Sequence, residues 1–350
     1  MIPAAIIILL VIGRLLLPYF VLKYVNRTLD EIPGYEGNVE DIDIALYRGA
    51  YVIKELTLWK ENADSSTPLL FYPKTDISIE WGALWRGRIV SEIVLYQPVF
   101  NYVFEDQKKP VPEGEPEIED WTKALSDLVP IEINHLQVHG GRINFVQFSA
   151  DPNIDLMMSQ IELQATNLRN VYQTENVLPS TVHATMVSFG GGQSILTGRI
   201  NVMQRIPDMD LEFSLRNADV TALNEMTLHT AGIDFESGTF ELYSEVAIAD
   251  GYLKGYLKPM FIKTTLLGEE DKGFFEKLWE GFVGVFKFLF KNQGTDTLAT
   301  RAPIEGDLNN LDTGLFTTIV NIFKNAWIEA FSTNVDEDID FGDALKKDKD

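Results

Sequence analysis

Two of the four histidines, His135 and His139, are spaced like a metal-binding pair on one face of a helix. They lie in EINHLQVHGG, however, whose alternation reads as a strand. Four positions along a strand cover about 13 Å, too far for both imidazoles to reach one ion, so no metal site is expected. His183 and His229 stand apart from these and from each other. The chain has no cysteine, which removes thiolate nucleophiles, cysteine zinc sites and disulfides together. GGGQS at 190–194 lacks the lysine and the following helix of a phosphate-binding loop and reads as a hairpin turn. No GxSxG or HExxH pattern occurs. Asp41 and Asp43, two apart in an alternating stretch, read as the solvated face of a strand. No catalytic or cofactor-binding constellation emerges, and a non-enzymatic protein without cofactors is expected.

Charge narrows the partners. Fifty-two acidic residues against 29 basic ones leave a formal charge of -23 over 350 residues. A polyanion needs clustered Lys and Arg to displace its counterions, so nucleic acid is not an expected partner.

The elements that would position any site are mostly strands. From about residue 38 to 265 the apolar period is 2, as in Ile42, Ile44 and Leu46, in Ile77 and Ile79, in Ile161 and Leu163, and in Leu211, Phe213 and Leu215. Roughly 13 such segments are expected. Gly49, Gly140 with Gly141, Gly190 to Gly192, Gly198, Gly238 and Gly251 separate many of them and predict antiparallel hairpins. The alternation changes phase between Ile133 and Leu136 and again between Phe145 and Phe148, as β-bulges would make it do. Helices are predicted over 116–129 and near Asp219 to Met226. The proline- and acid-rich stretch 105–120 reads as a solvated loop.

The ends differ from the body. Ile2 to Leu22 is apolar except for Arg14, long enough to cross a bilayer. With Arg14 near an interface, the span lies at or before it, and 15–29 forms an amphipathic helix on the membrane surface. A cleaved signal peptide is the alternative, but the basic start and small-residue cleavage site are missing. Lys23 and Arg27 follow the span and no Lys or Arg precedes it, which by charge alone would hold the next segment in the cytoplasm. Near the other end, GFFEKLWEGFVGVFKFLFK carries Phe274, Phe275, Leu278, Trp279, Phe282 and Phe286 on a wide apolar face. Four charges interrupt it, so it suits a membrane interface or a groove mouth, with plain packing on the sheet as the alternative. A second helix after Asp312 or Thr313 places Leu315, Phe316, Ile319, Phe323 and Trp327 on one side and is expected to cap an open sheet edge. The acidic stretch 333–350 is expected to be a tail.

Residues 26–60, 77–106 and 301–331, about a third of the chain, resemble the AsmA-like, DUF748-type bacterial envelope proteins. The quoted pattern is NRTLDEIPGYEGNVEDIDIALYRGAYVIKELTLWK, then ISIEWGALWRGRIVSEIVLYQPVFNYVFED with Pro98, then RAPIEGDLNNLDTGLFTTIVNIFKNAWIEAF. The resemblance implies an inner-membrane, single-pass anchor, a periplasmic body, and an elongated curved antiparallel sheet whose oily concave face carries phospholipids. It divides the chain into an anchor (1–30), a β groove (31–268), C-terminal helices with a closing strand (269–332) and the tail. On that reading Ile42, Ile44, Leu46, Ile77, Ile79, Ile161, Leu163, Leu211 and Phe213 line the groove. From the residues alone, the same alternation equally suits a closed sandwich with envelope protein partners.

Overall fold

The computed structural model describes residues 2–32, 34–45, 49–61, 63, 65–79, 91–107, 133–168, 177–202, 206–231, 234–266, 297–299, 301–309, 318–319 and 322–323. These residues are mainly β, with fifteen strands and few helices. They fall into two compact units, 1–143 and 144–350.

The first unit opens with helix α1 (Ile2–Asp30), which runs through Pro18 without interruption. The expected break after Arg14 into a span and a separate surface helix is therefore replaced by one continuous helix. Strands β1 (Tyr35–Asn38) and β2 (Asp41–Ala45) both pair antiparallel with β3 (Ala50–Lys60), which pairs with β4 (Leu70–Ile79), itself paired with β5 (Ser91–Tyr96) and β6 (Val99–Val103). Strand β7 (Ile133–Gln147) then joins β5 in parallel, from Ser91 opposite Ile133 to Tyr96 opposite His139. This corrects the expectation of a purely antiparallel sheet. A parallel neighbour needs a long crossover, and the chain between Tyr96 and Ile133 supplies one.

Four irregularities align across this unit. Glu55, Gln97 and Gly140 have φ of 51°, 52° and 65°, and the registers place Pro73 between the first two. Along this line the buried positions change parity, from Ile53 to Leu56 and Leu58 on β3, and from Ile77 and Thr75 to Leu70 on β4. Gly140 with Gly141 therefore does not reverse the chain, as the sequence predicts; it bends one 15-residue strand. The phase change between Ile133 and Leu136 is a register shift, Ser91 facing Ile133 and Glu92 facing His135. The change at Phe148 is no bulge, because that residue lies beyond the end of β7.

The second unit is an antiparallel meander of β8 (Ile154–Thr166), β9 (Ser180–Val187), β10 (Gln193–Asn201), β11 (Asp208–Asp219), β12 (Phe235–Ala249) and β13 (Tyr252–Leu266). Strands β14 (Thr297–Ala299) and β15 (Ala302–Asp307) pair with β13. Asp250 and Gly251, with φ of 52° and 76°, form the two-residue turn that the twist of β12 and β13 favours. Gly190 and Gly191 do reverse the chain as expected, whereas Gly198 and Gly238 lie inside β10 and β12. Between β11 and β12, a 3-10 turn (Val220–Leu223) leads into helix α2 (Asn224–Ala231). The Asp219 carboxylate accepts from the Thr221 N–H at 3.0 Å, capping that turn as an Asp at this position should.

Leu46, the helix expected over 116–129, and Phe274, Phe275, Leu278, Trp279, Phe282 and Phe286 lie outside the described residues. Among the described residues no helix is long and apolar enough to cross a membrane.

A candidate functional site on the apolar sheet faces

Directly opposed residues of neighbouring strands share a sheet face, so the registers sort every side chain to one side or the other. In the first unit, Ile44, Tyr51, Ile77, Ile93 and Leu136 form one row across β2, β3, β4, β5 and β7. Ile42, Ile53, Thr75, Leu95 and Val138 form the next. The opposite face carries Asp41, Asp43, Lys54, Lys74, Tyr96 and His139. There Lys54 bridges Asp41 at 2.9 Å and Asp43 at 2.6 Å, while Lys74 lies 4.5 Å over the Tyr96 ring. The two aspartates hold the Lys54 ammonium above its usual range, Asp43 contributing most, and Lys54 in turn lowers Asp41. Asp41 and Asp43 thus lie on the solvated face, paired with Lys54.

Helix α1 covers part of the apolar face. Val21, Leu22, Val25 and Leu29 meet the cluster of Ile42, Ile53, Leu58, Ile77 and Ile93. Leu29 lies directly over Gly37, where a Cβ would stand 2.8 Å from the Leu29 Cβ. Asn26 fixes the helix further: its amide donates to the Val39 carbonyl at 3.0 Å and its oxygen accepts from the Val39 N–H at 2.7 Å. Burial under this roof pushes the Tyr72 phenol up to about 12 and raises that of Tyr51.

In the second unit one row runs Leu163, Ala184, Leu196, Phe213, Ser244, Leu257 and Ala302 from β8 to β15. The adjacent row runs Ala165, Val182, Gly198, Leu211, Val246, Gly255 and Ile304. The reverse face presents Gln164, His183, Thr197, Glu212, Glu245 and Tyr256 in one such row. Two clusters close parts of the apolar face. Leu215, Phe240 and Phe261 are buried with Val220 and Leu223 of the turn before α2, and Met226 of α2 packs against them. Ile248, Leu253, Leu257 and Ile304 are buried with Ile206 and Leu308, and Ile319, Ile322 and Phe323 pack on them. Ile322 lies over Gly306, on the apolar side of β15, so the described residues Ile319, Ile322 and Phe323 pack on the face.

Between the two clusters the cover thins. Leu163, Val182, Leu196 and Leu211 are half-buried, and Phe213, also half-buried, packs against the first cluster. Of the residues singled out from sequence, Ile42, Ile77 and Ile161 are buried, while Ile44, Ile79, Leu163, Leu211 and Phe213 are half-buried. Reading only the strongest alternations missed Tyr51, Ile93 and Leu95 of the first unit and Val182, Leu196 and Val246 of the second. The same period-2 signal in TVHATM and SILTGRI could have found several of them.

The residues considered for chemistry stay apart from the apolar rows. His135 lies 3.1 Å from Asn134, and His139 stacks beside Tyr96 at 5.7 Å, both on the polar face of β7. Among the described residues no group of three metal-ligating side chains comes together. The triple glycine is a close approach of two backbones: a Cβ on Gly190 would stand 2.4 Å from the Asp219 carbonyl oxygen. No protein-family model matches the chain, and no curated protein matches it.

Proposed function

We propose that the chain is a membrane-anchored protein of the bacterial envelope that shields phospholipid acyl chains along an apolar β groove, elongated and curved as in the AsmA-like proteins it resembles. One observation supports the reading: a continuous apolar face crosses β8 to β15, and Leu163, Val182, Leu196 and Leu211 on it are neither solvated polar groups nor fully buried core. Six strand spacings of about 4.8 Å make that face about 29 Å across. Moving an acyl chain of about 16 methylenes from a bilayer into water costs about 0.8 kcal/mol each, or about 13 kcal/mol, and a lining of Leu, Val and Phe offsets that cost. Such a task needs no catalytic group. On this reading the anchor sits in the inner membrane, the body is periplasmic, and the protein contributes to lipid transport between membranes or to outer-membrane homeostasis.

The test is native mass spectrometry of the full chain after gentle detergent extraction. Bound phospholipid in the wild type, lost in Phe213→Asp while the fold persists, is the expected result. A well-folded preparation free of lipid would instead favour the second reading, a structural or assembly factor whose apolar face is closed by protein. The burial of Leu215 and Phe240 beneath the turn that leads into α2 favours that reading for one part of the face.

A further inference from the structure

Helix α1 has two different long sides. Val21, Leu22, Val25 and Leu29 pack into the first unit's core. Leu16, Tyr19, Phe20 and Tyr24 are instead exposed, at 48, 62, 60 and 65%. Lys23 and Arg27 are exposed among them, Arg27 in an ion pair with Glu31 at 3.0 Å. Large aromatic groups held in water are costly, and a stripe of them interleaved with cations, in a chain of net charge -23, is not a general surface.

We propose that this exposed side of α1, from Tyr19 to Tyr24, lies in the interfacial layer of a bilayer containing anionic phospholipid, with Tyr19, Phe20 and Tyr24 as its aromatic belt. The inference rests on the membrane-anchored reading and adds where the membrane surface falls. Three observations agree on the occupant. The helix continues towards its start with IPAAIIILLVIG, which has no charged side chain, and so becomes more apolar in one direction only. In the other direction it ends at Asp30, exposed, which an anionic surface would repel, and Glu31 beyond it already pairs with Arg27. The step from Tyr19 to Tyr24 covers about 7.5 Å of helix axis, and the headgroup layer on each side of a bilayer is about 5 to 7.5 Å thick. Tyrosine and phenylalanine suit that depth, and the long stem of Lys23 lets its charge reach the phosphates.

Because Asn26 and Leu29 clamp the same helix to β1 and to the connection before β2, the belt also positions the first unit.

The absence of cysteine makes the test direct. Single-cysteine variants Tyr19→Cys, Tyr24→Cys and Asp30→Cys of the full chain are labelled with an environment-sensitive fluorophore. They are then reconstituted into vesicles of phosphatidylcholine and phosphatidylglycerol carrying a nitroxide at the headgroup. Labels at 19 and 24 are expected to shift to the blue and to be quenched several-fold more than the label at 30. Phe20→Cys replaces either position should a variant fold poorly. Protein that floats with the vesicles while labels at 19 and 24 remain aqueous would overturn the inference and leave the anchor intact. Protein that does not float would overturn both. Shielding of these labels only by a second copy of the chain, seen as self-quenching without nitroxide quenching, would also overturn it. Lipid retention measured by mass spectrometry reports on the groove separately.

Discussion

Leu211 and Leu215 lie on the same face of β11, and truncating each to alanine should separate an open face from a closed one. Leu215 is 0% exposed and sits among Phe240, Phe261, Val220 and Leu223. Leu215→Ala loses about 2.4 kcal/mol of transfer free energy, at about 0.8 kcal/mol for each of about three carbon groups. The cavity beneath the turn before α2 adds to this, for a total of about 3 to 5 kcal/mol. Leu211 is half-buried, beside Gly198, so the same truncation removes about half the transfer term, about 1 kcal/mol, and leaves no enclosed cavity. Urea denaturation of the full chain in mild detergent, followed by tryptophan fluorescence, measures both, provided the m-values match. Adding phospholipid to about 100 times its dissociation constant should stabilise the wild type by about 2.7 kcal/mol, and Leu211→Asp should gain much less. A Leu211→Ala cost equal to that of Leu215→Ala would refute the reasoning, because it would mean that protein already closes the face at this point.

Three further outcomes follow from single positions. Gly190→Ala places a Cβ against the Asp219 carbonyl at φ 62°; thermal unfolding should reveal a loss of about 2 to 4 kcal/mol. Leu29→Ala empties the contact between α1 and Gly37, and should cost about 2 to 5 kcal/mol by denaturant titration. Burial raises the Asp208 carboxyl although it accepts from the Asp250 N–H at 2.9 Å. A folded-state value above the unfolded one makes ionisation unfavourable to the fold, so stability at this site is lost as pH rises through the raised value. Asp208→Asn keeps an acceptor and should stabilise the protein at neutral pH. In melts across a pH series the advantage should fade as pH falls towards the ordinary carboxylate range, and an advantage that grew on acidification would contradict the assignment.

Much of the strand pattern was legible because its cause is local. Ile42 and Ile44 against Asp41 and Asp43 needed only period 2, the bulge near Asn134 showed in the phase of its neighbours, and Asp250-Gly251 announced a tight turn. Gly140-Gly141 was not legible, since a glycine of positive φ serves a hairpin and a bent strand alike. What decided between them was the line of Glu55, Pro73 and Gln97, three residues far away in sequence. The parallel pairing of β5 with β7 has the same character, because a long crossover leaves no local signature of its direction. Leu211 alternates just as the buried Leu215 does on the same strand, and alternation says nothing about the layer above a face. That is why a groove and a sandwich could not be separated from sequence, and why the residues of the rows could be.

Neighbouring residues on β11 offer the most direct test of the groove. Leu211 and Phe213 point to the apolar face and Glu212 to the polar one, through the pairings of Phe213 with Leu196 and of Glu212 with Thr197. A photoreactive phenylalanine analogue at each position, irradiated in membranes that contain the full chain, samples both faces of one strand. The account predicts phospholipid adducts from positions 211 and 213 and none from 212. Equal adducts from all three, or none from 211 and 213 in a folded protein, would contradict it.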